Sequence, residues 1–310
     1  MGDSLRAFAP ATVANVGSGF DILGFAVKKP GDEVTVARSA KKGVRILSIE
    51  GDEGRLPLNP LLNAVSLPVI RFLEHIKNDT GIEITLKKMM PLGSGLGSSA
   101  ASAVVGVFAV NELLGRPLSR EELLPFAMEG EKVACGSAHA DNAGPALLGG
   151  FILIRSYKPL DIIRIPTPAE LVCTLIHPQV EIRTEDARKI LKTKIRLSDA
   201  IVQWGNTAGL IAGLIKGDYS LIGRSLTDVI IEPVRSILIP GFENVKNAAL
   251  GAGALGCSIS GSGPSIFALS KGMDVAVRAG EAMGKVYMEL GIPATVYVSE
   301  LNGEGPVVLS

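Results

Sequence analysis

The feature that most constrains this chain is a glycine-rich segment, PLGSGLGSSAAS, at residues 91–102. An alternating stretch at residues 82–88, IEITLKK, predicts a β-strand before it, and the apolar run from Ala100 to Leu114 predicts a helix after it. A glycine-rich turn from a strand into a helix exposes unpaired backbone amides at the positive end of the helix dipole. The sequence therefore predicts a phosphate-binding loop.

Three glycines of this loop, Gly93, Gly95 and Gly97, alternate with larger residues. Glycine adopts a positive φ readily, and a Cβ in its place would crowd the ligand. A simple turn needs neither this alternation nor the adjacent hydroxyls of Ser98 and Ser99. We therefore prefer phosphate binding to a purely structural turn.

Two other nucleotide motifs compete with this interpretation. Residues 95–100 fit the dinucleotide pattern GxGxxA, which would indicate a nicotinamide-dependent oxidoreductase. Pro91 intervenes after the strand, however, and no clear βαβ unit opens the chain. The sequence contains no GxxxxGK[ST], so a nucleotide would be held without a P-loop lysine.

The composition bounds the class of protein. With 310 residues, 47% of them hydrophobic, the chain can bury a large core, and we expect two closely packed domains. Lys+Arg and Asp+Glu number 31 each, so the net charge is zero and gives no signature of nucleic-acid or anionic-membrane binding. We expect a small-molecule partner, no nucleic acid and no membrane.

The sequence favours a cytoplasmic location. Cys135, Cys173 and Cys257 are far apart and odd in number, which argues for a reducing compartment rather than a disulfide framework. The most apolar stretch ends at Asn111, well short of the roughly 20 residues of a membrane helix. The first ten residues include Asp3 and lack the apolar core of a signal peptide.

Residue patterns in the first half predict a sheet with helices. The predicted strands, which we expect to form an antiparallel sheet, are residues 34–38, 44–49 and 82–88. Residues 63–75 have helical spacing, and Pro68 predicts a late start or a kink. Ser119 and Glu122 form a capping-box pattern that opens a helix reaching Cys135.

The second half mixes strands with helices. Pro159, Pro166 and Pro168 follow a predicted strand at residues 151–155 and indicate a domain junction near residue 160. The later predicted strands are residues 171–177, a run near Cys257, residues 265–270 and residues 294–299, with helices between residues 185 and 252 and before the last strand. Such mixing predicts an α+β fold.

Three ordered segments resemble the GHMP kinases, the superfamily that includes galactokinase and mevalonate kinase. Residues 91–101 fit that family's ATP-loop pattern PxGxGLGSSAA; APATVAN and GFDILG occur within residues 9–24, and SISGSGPS occurs at residues 258–265. The resemblance implies a two-domain α+β fold, with an N-terminal ATP-loop domain at residues 1–160 and a C-terminal ferredoxin-like domain at residues 161–310. ATP and its acceptor would lie in the cleft between the domains.

The resemblance also implies ATP and Mg²⁺ as cofactors. The ATP-binding positions would be Asn63, Pro91, Leu92, Gly93, Ser94, Gly95, Leu96, Gly97, Ser98, Ser99, Ala100 and Ala101. The Mg²⁺ ligands would be Ser99 and Glu131, whose hard oxygens suit an ion shared with the phosphates. Without the resemblance, Glu131 would be interpreted as a solvated helix acid and Asn63 as a polar residue at a helix start.

Within the family, SAHADN at residues 137–142, RTEDAR at residues 183–188 and IEPVR at residues 231–235 resemble the members that phosphorylate L-homoserine on the route to threonine. A zwitterionic amino acid needs an anion for its ammonium and a cation for its carboxylate, because a bare charge in a closed cleft is costly. The implied substrate-binding residues are Asn15, Asp21, His139, Thr184, Arg188, Arg235 and Gly261, and the implied catalytic residues are Asn142, Asp141 and Arg188.

Roles follow from the same resemblance. The amino end would be held by Asn15 and Asp21, the carboxylate end by Thr184, Arg188 and Arg235, and the acceptor hydroxyl would be lined by His139 and Asn142. Asp141 aligns with the general base of some other members, although alignment and charge stabilisation could suffice for a loose transition state. Ser18 stands where the family commonly has proline, which predicts a less stiff loop there.

Other functions stay open at this stage. One alternative is a GHMP kinase that phosphorylates a mevalonate-type, sugar or shikimate-like alcohol. Asp21 would then have no ammonium to bind. A catalytically idle ligand sensor on the same fold is a third alternative, against which the intact Ser99 and Glu131 argue. A homodimer is an expectation from the family alone.

Overall fold

The computed structural model describes residues 3–136 and 139–309, with the side chains of Ala134 and Cys135 outside the description. Ser137 and Ala138 of the predicted SAHADN segment also lie outside it. In the described part of the chain, the strands of a first, seven-stranded sheet are β1 (Ser4–Ala14), β2 (Leu23–Ser39), β3 (Val44–Glu50), β4 (Gly81–Lys87), β5 (Phe151–Tyr157), β6 (Leu160–Ile165) and β11 (Val307–Leu309). The helices near this sheet are α1 (Leu67–His75), α2 (Ser98–Leu113), α3 (Arg120–Cys135) and α4 (Ala140–Leu148).

The sheet is antiparallel between β2 and β4, as predicted, and also between β1 and β2, but β3 runs parallel to β4. The prediction was wrong for β3 because the chain returns to β4 through α1. A crossover of this length permits parallel pairing, whereas a short hairpin does not.

The helices that support the glycine loop begin where the sequence predicts. Pro68 lies in the first turn of α1, which confirms the predicted late start. Ser119 and Glu122 form the predicted capping box of α3. The α2 helix is buried on nearly all sides and packs against β1 and β2, so the segment after the loop is a central core element.

A second, four-stranded antiparallel sheet has the order β10-β7-β9-β8. Its strands are β7 (Leu171–Pro178), β8 (Gly256–Ile259), β9 (Ile266–Lys271) and β10 (Ala294–Glu300). The accompanying helices are α5 (Thr184–Lys189), α6 (Leu197–Lys216), α7 (Tyr219–Ser225), α8 (Glu232–Arg235), α9 (Phe242–Gly251) and α10 (Met273–Glu289). Helices between β7 and β8 and between β9 and β10 give the split βαβ arrangement of a ferredoxin-like domain. The predicted α+β fold is confirmed.

Two strands beyond residue 160 belong to the first sheet. β6 forms a hairpin with β5, and β11 pairs with β1 at the end of the chain. The predicted boundary between residues 160 and 161 therefore falls at the start of β6, and a division at residue 160 stays a prediction. Among the described residues, no helix is long and apolar enough to cross a membrane. Cys173 and Cys257 are buried free thiols.

Candidate active site

The predicted motifs meet at a cavity of about 990 Å³. The predicted site residues that line it are Asn15, Asp21, Asn63, Leu92, Gly93, Ser94, Gly95, Gly97, Ser98, Ser99, Glu131, His139, Asp141, Asn142, Thr184, Arg188, Arg235 and Gly261. Leu96, Ala100 and Ala101 are instead buried in the hydrophobic core, and Pro91 is also outside the lining. These four residues support the loop from behind.

The glycine loop has the backbone conformation that its sequence predicts. Gly93, Gly95 and Gly97 have φ values of 65°, 76° and 67°, all in the left-handed region. A Cβ on Gly97 would lie 1.9 Å from Thr12 Oγ1, and one on Gly95 would lie 2.5 Å from the Ser260 carbonyl oxygen. At these two positions the protein itself crowds the loop, whereas the sequence interpretation assigned the crowding to a ligand.

Hydrogen bonds from the APATVAN and SISGSGPS segments fix the glycine loop in place. The amide of Thr12 donates to the Leu96 carbonyl at 3.0 Å, and the Ser260 hydroxyl donates to the Gly95 carbonyl at 2.7 Å. Gly97 is the N-cap of α2, and its position supplies no side-chain cap. The first amides of the helix are therefore available to an anion, at the positive end of the helix dipole.

A buried lysine fixes the first turn of α2. The Lys88 ammonium donates to the Ser98 carbonyl at 2.8 Å and to Ser102 Oγ at 2.9 Å, and it forms an ion pair with Asp32. Both charged side chains are inaccessible to solvent, so the pair holds the end of β4 against α2 in one geometry.

Glu131 lies beside the loop with Ser99. Burial raises the pKa of Glu131 to about 7, while a hydrogen bond from the Ser99 hydroxyl and the charge of Lys88 act in the opposite direction. A cation at this carboxylate would offset the cost of its burial. Among the described residues, no group of three or more acidic, His or Cys side chains could hold a metal. One carboxylate with a hydroxyl nevertheless suits Mg²⁺, which binds few protein ligands and shares phosphate oxygens and water.

The cavity is also lined by charged side chains. Arg188 donates to both carboxylate oxygens of Asp21, from Nη1 at 3.0 Å and from Nη2 at 2.8 Å. The two charges therefore compensate each other before a substrate arrives. The sequence interpretation treated Asp21 and Arg188 as separate partners for opposite ends of a zwitterion, and the structure pairs them instead.

Unlike Arg188, Arg235 donates its hydrogen bonds to backbone carbonyls and not to a carboxylate. Its side chain is 2% exposed and donates to the carbonyl oxygens of Ala187 and Gly261, each at 3.1 Å. No carboxylate of the described residues forms a salt bridge with it within 4.0 Å. Burial and the charge of Arg188 lower its pKa to about 10, so it stays cationic at neutral pH. The ring of Phe20 lies below the Arg235 guanidinium at 4.9 Å.

His139 and Asn142 are oriented by neighbours. Arg188 Nη2 lies 3.1 Å from His139 Nε2; because a guanidinium only donates, Nε2 accepts and the proton resides on Nδ1. Burial lowers the pKa of His139, which favours this neutral form. Thr12 Oγ1 donates to Asn142 Oδ1 at 2.7 Å.

Asp141 is a buried carboxyl group near both Asp21 and Glu131. Burial, then the charges of Asp21 and Glu131, raise its pKa to about 7. Its Oδ1 has no hydrogen-bond partner among the described residues. A carboxyl group of this kind can accept a proton near neutral pH.

The loop that carries Asp21 is fixed by its own hydrogen bonds. Asn15 Oδ1 accepts from the Asp21 amide at 2.8 Å, and Asn15 Nδ2 donates to the Gly261 carbonyl at 2.9 Å. Asn15 thus positions Asp21. Thr207 Oγ1 lies 3.0 Å from Ser18 Oγ, and Gln203 Nε2 donates to the Ser18 carbonyl at 3.1 Å. These bonds hold the loop at Ser18, where the sequence predicted a less stiff loop.

Two further predicted residues have local partners. Asn63 Nδ2 donates to the Pro57 carbonyl at 2.8 Å, and its Oδ1 accepts from the Val65 amide at 3.0 Å, so it organises the turn before α1. Thr184 Oγ1 lies 3.2 Å from Ser262 Oγ, and this hydrogen bond connects α5 to the SISGSGPS segment at residues 258–265.

Sequence reasoning missed Thr12, Lys88 and Tyr157. Thr12 stands inside the APATVAN motif, so membership in that motif was the available signal. The Tyr157 hydroxyl donates to the Asp21 carbonyl at 2.9 Å. Neither Tyr157 nor Lys88 has a sequence signal, because strand pairing alone brings Tyr157 to the Asp21 backbone and Lys88 to the cavity.

The combination of a glycine-rich loop at a helix N-terminus and a cavity with charged side chains, between an N-terminal sheet and a ferredoxin-like domain, is that of a small-molecule kinase. The family of GHMP kinases N-terminal domains matches residues 63–150, and that of GHMP kinases C-terminal domains matches residues 210–288. The chain belongs to the GHMP kinase family, as the motifs predicted.

The chain is similar to homoserine kinases over its full length. Homoserine kinase of Chlorobium phaeovibrioides is 56% identical, covering 99% of both chains. The crystal structure of homoserine kinase from Cytophaga hutchinsonii is 61% identical with a TM-score of 0.98, covering 100% of this chain and 98% of that one. The crystal structure of L. major mevalonate kinase has a TM-score of 0.72 at 18% identity and covers 96% of each chain, which shows the shared fold alone.

Proposed function

We propose that this protein transfers the γ-phosphoryl group of ATP to the side-chain hydroxyl of L-homoserine, giving O-phospho-L-homoserine. The observation that carries the proposal is the division of one cavity: an amide-rich loop on one side, and on the other a buried Arg235 beside the Asp21–Arg188 pair. The full-length similarity to homoserine kinases supports the same substrate.

On the nucleotide side, the loop amides and the N-terminus of α2 would hold the phosphates. Lys88 keeps the first turn of that helix in place through the Ser98 carbonyl. Ser99 and Glu131 would hold Mg²⁺, which neutralises charge on the transferred phosphoryl group when bound. The buried Glu131 carboxylate and its hydrogen bond to Ser99 fit this role.

On the acceptor side, Arg235 would bind the substrate carboxylate, since its cation donates only to backbone carbonyls in the described structure. The ammonium would bind Asp21, whose carboxylate it would share with Arg188. Asn142 would then orient the hydroxyl, and Asp141 is placed to accept its proton. Orientation alone supplies much of the catalysis in phosphoryl transfer.

Two alternatives fit the site less well. A neutral sugar leaves Asp21 without an ammonium and Arg235 without a carboxylate. Mevalonate and shikimate each carry a carboxylate for Arg235 but no ammonium for Asp21. A dinucleotide-dependent oxidoreductase does not fit the fold, because the described sheet around the loop is largely antiparallel, whereas a dinucleotide-binding fold has a mostly parallel sheet.

The test is kinetic. The protein is incubated with Mg-ATP and each of L-homoserine, mevalonate, galactose and shikimate, and ADP release is followed together with product mass. We expect a phosphorylated product from L-homoserine alone. Phosphorylated mevalonate or sugar would overturn the substrate assignment, and absence of ADP release with every alcohol would favour the sensor. We place the reaction in the cytoplasm, on the basis of the cysteine usage.

A further inference from the structure

An ion pair joins the two halves of the fold at the edge of the cavity. Arg55 Nη2 donates to Glu181 Oε1 at 2.7 Å. Arg55 lies in the segment between β3 and α1, and Glu181 lies between β7 and α5. Both residues line the cavity, with side chains that are 46% and 51% exposed. An ion pair this exposed contributes little to stability, so stability does not account for its place at the cavity.

The carboxylate of this pair lies beside the glycine loop. A Cβ on Gly93 would lie 3.4 Å from Glu181 Cγ and 3.7 Å from Glu181 Oε1. The next residue, Ile182, is buried in a hydrophobic core and fixes the backbone of this segment. Glu181 therefore holds a negative charge at the start of a loop whose amides suit an anion. Nucleotide phosphates on this loop would be repelled by Glu181 and attracted by Arg55.

The turn that carries Arg55 is fixed by Asp52. The Asp52 side chain is buried, and its carboxylate accepts from the Gly54 amide at 3.2 Å and from the Leu56 amide at 3.0 Å. The Arg55 amide donates to the Asp52 carbonyl at 3.1 Å. The backbone of Arg55 is thus held on both sides, while its side chain is exposed and long enough to exchange partners. A change of rotamer suffices to redirect the guanidinium.

We propose that Arg55 binds the phosphates of the nucleotide and that Glu181 competes with them for its guanidinium. Phosphate and carboxylate oxygens both accept paired hydrogen bonds from the planar guanidinium, and a nucleotide carries the larger negative charge. The nucleotide would therefore displace Glu181 from Arg55. This role deepens the proposed function and rests on it only in that the glycine loop binds the nucleotide phosphates; it does not depend on the acceptor.

Another cation of the cavity provides a matched control. Lys189 lines the cavity and pairs with Glu185 at 2.7 Å, but this pair lies within α5. If nucleotide affinity depended only on the total positive charge of the cavity, Lys189→Gln and Arg55→Gln would have equal effects. If Arg55 contacts the phosphates, only Arg55→Gln has a large effect.

The test is a binding titration without an acceptor. The affinities of the protein for ADP and for adenosine are measured by isothermal titration calorimetry in the presence of Mg²⁺. Arg55→Gln should weaken ADP binding about 5- to 20-fold, the equivalent of about 1–2 kcal/mol for a charge-assisted hydrogen bond at a partly exposed site. Adenosine has no phosphates, so its affinity should stay the same. Lys189→Gln should change ADP binding by less than about 2-fold.

Substitution of Glu181 should have the opposite sign. Glu181→Gln removes the competing carboxylate and should strengthen ADP binding about 2- to 5-fold. A purely structural ion pair would instead give a loss from both variants. In the Glu181→Gln background, Arg55→Gln should still weaken ADP binding at least about 5-fold, because its contact with the phosphates is direct.

The contrary results are equally specific. No effect of Arg55→Gln in the Glu181→Gln background would show that Arg55 only neutralises Glu181, and would overturn the proposal. Equal losses for ADP and adenosine, equal losses from Arg55→Gln and Lys189→Gln, or a loss from Glu181→Gln would overturn it as well. Absence of ADP binding by the unaltered protein would overturn the nucleotide side of the proposed function itself.

Discussion

The two sides of the cavity are constructed differently. The proposed nucleotide side consists mainly of backbone: one contiguous loop, three glycines with positive φ, and the start of α2 without a side-chain cap. The proposed acceptor side consists of side chains from separate segments, with Asp21 before β2, His139 before α4, Arg188 in α5 and Arg235 in α8.

This difference separates general from specific binding. Backbone amides recognise any phosphate, and their geometry is fixed by the loop and its protein neighbours. Charged side chains can be exchanged one at a time, so the acceptor can differ among proteins that share the loop. We therefore expect substitutions on the two sides to have different signatures.

The largest effect on stability is expected at Asp141, whose pKa is raised by burial and by the negative charges of Asp21 and Glu131. Its pKa is raised from 3.8 to about 7, so the folded state prefers the proton. The contribution of the protonated Asp141 to the free energy of unfolding is therefore fully present below pH 3.8, and it is lost as the pH rises through about 7. Asp141→Asn should therefore raise the free energy of unfolding by up to about 4 kcal/mol at pH 8.5, and by less than half of that at pH 5.

Urea unfolding without ATP or Mg²⁺ measures this effect. Glu121→Gln, on the exposed side of α3, is the control for loss of one charge. A gain from Asp141→Asn that is equal at both pH values would show that Asp141 does not titrate between them.

On the nucleotide side, Glu131→Gln should lower kcat about 10²- to 10³-fold, because charge stabilisation is lost mainly in the transition state. KM for ATP should change less, since the loop amides remain. Initial rates over a Mg²⁺ titration give both values. Glu129→Gln, two residues away and exposed, is the control. Near-native turnover at ordinary Mg²⁺ would contradict a metal role.

On the acceptor side, Arg235→Leu should lower kcat/KM for L-homoserine about 10- to 150-fold, the equivalent of about 1.5–3 kcal/mol for a charge-assisted hydrogen bond. The kcat/KM of the same variant for the carboxyl-reduced aminodiol of homoserine should fall only slightly. Assaying both acceptors with both proteins cancels general damage to the fold. Equal losses on both acceptors would make Arg235 structural and Arg188 the better carboxylate ligand.

The smallest effect separates two glycines of the loop. Gly93→Ala and Gly97→Ala both carry a positive-φ cost of about 1–2 kcal/mol. Gly97→Ala adds a clash with Thr12 Oγ1, whereas a Cβ on Gly93 would come no closer than 3.4 Å to Glu181. We expect Gly97→Ala to lose about 1–3 kcal/mol more stability in urea unfolding. Equal losses would mean that the loop is not clamped by β1.

The sequence predicted the contiguous parts of this molecule well. The glycine loop, the capping box of α3 and the late start of α1 depend on neighbouring residues, and local chemistry determines them. It missed β1, because six consecutive buried residues at its end hide the strand alternation. It missed α4, because Gly144 and Pro145 interrupt its helical pattern.

For the site, the members were predictable from the family resemblance, but their pairing was not. Nothing in the spacing of Asp21 and Arg188 along the chain indicates that they form an ion pair. The Lys88–Asp32 pair was equally hidden, because it depends on how β2, β4 and α2 pack. Side-chain partners set by tertiary packing are the part that sequence patterns leave undetermined.

The most direct test of the central claim is a competition for the acceptor side. L-homoserine, mevalonate and galactose are supplied together at equal concentration with limiting Mg-ATP, and the phosphorylated products are identified by mass. The account predicts O-phospho-L-homoserine as the dominant product, because only this acceptor provides both an ammonium for Asp21 and a carboxylate for Arg235. Phosphomevalonate or a sugar phosphate as the dominant product would contradict it.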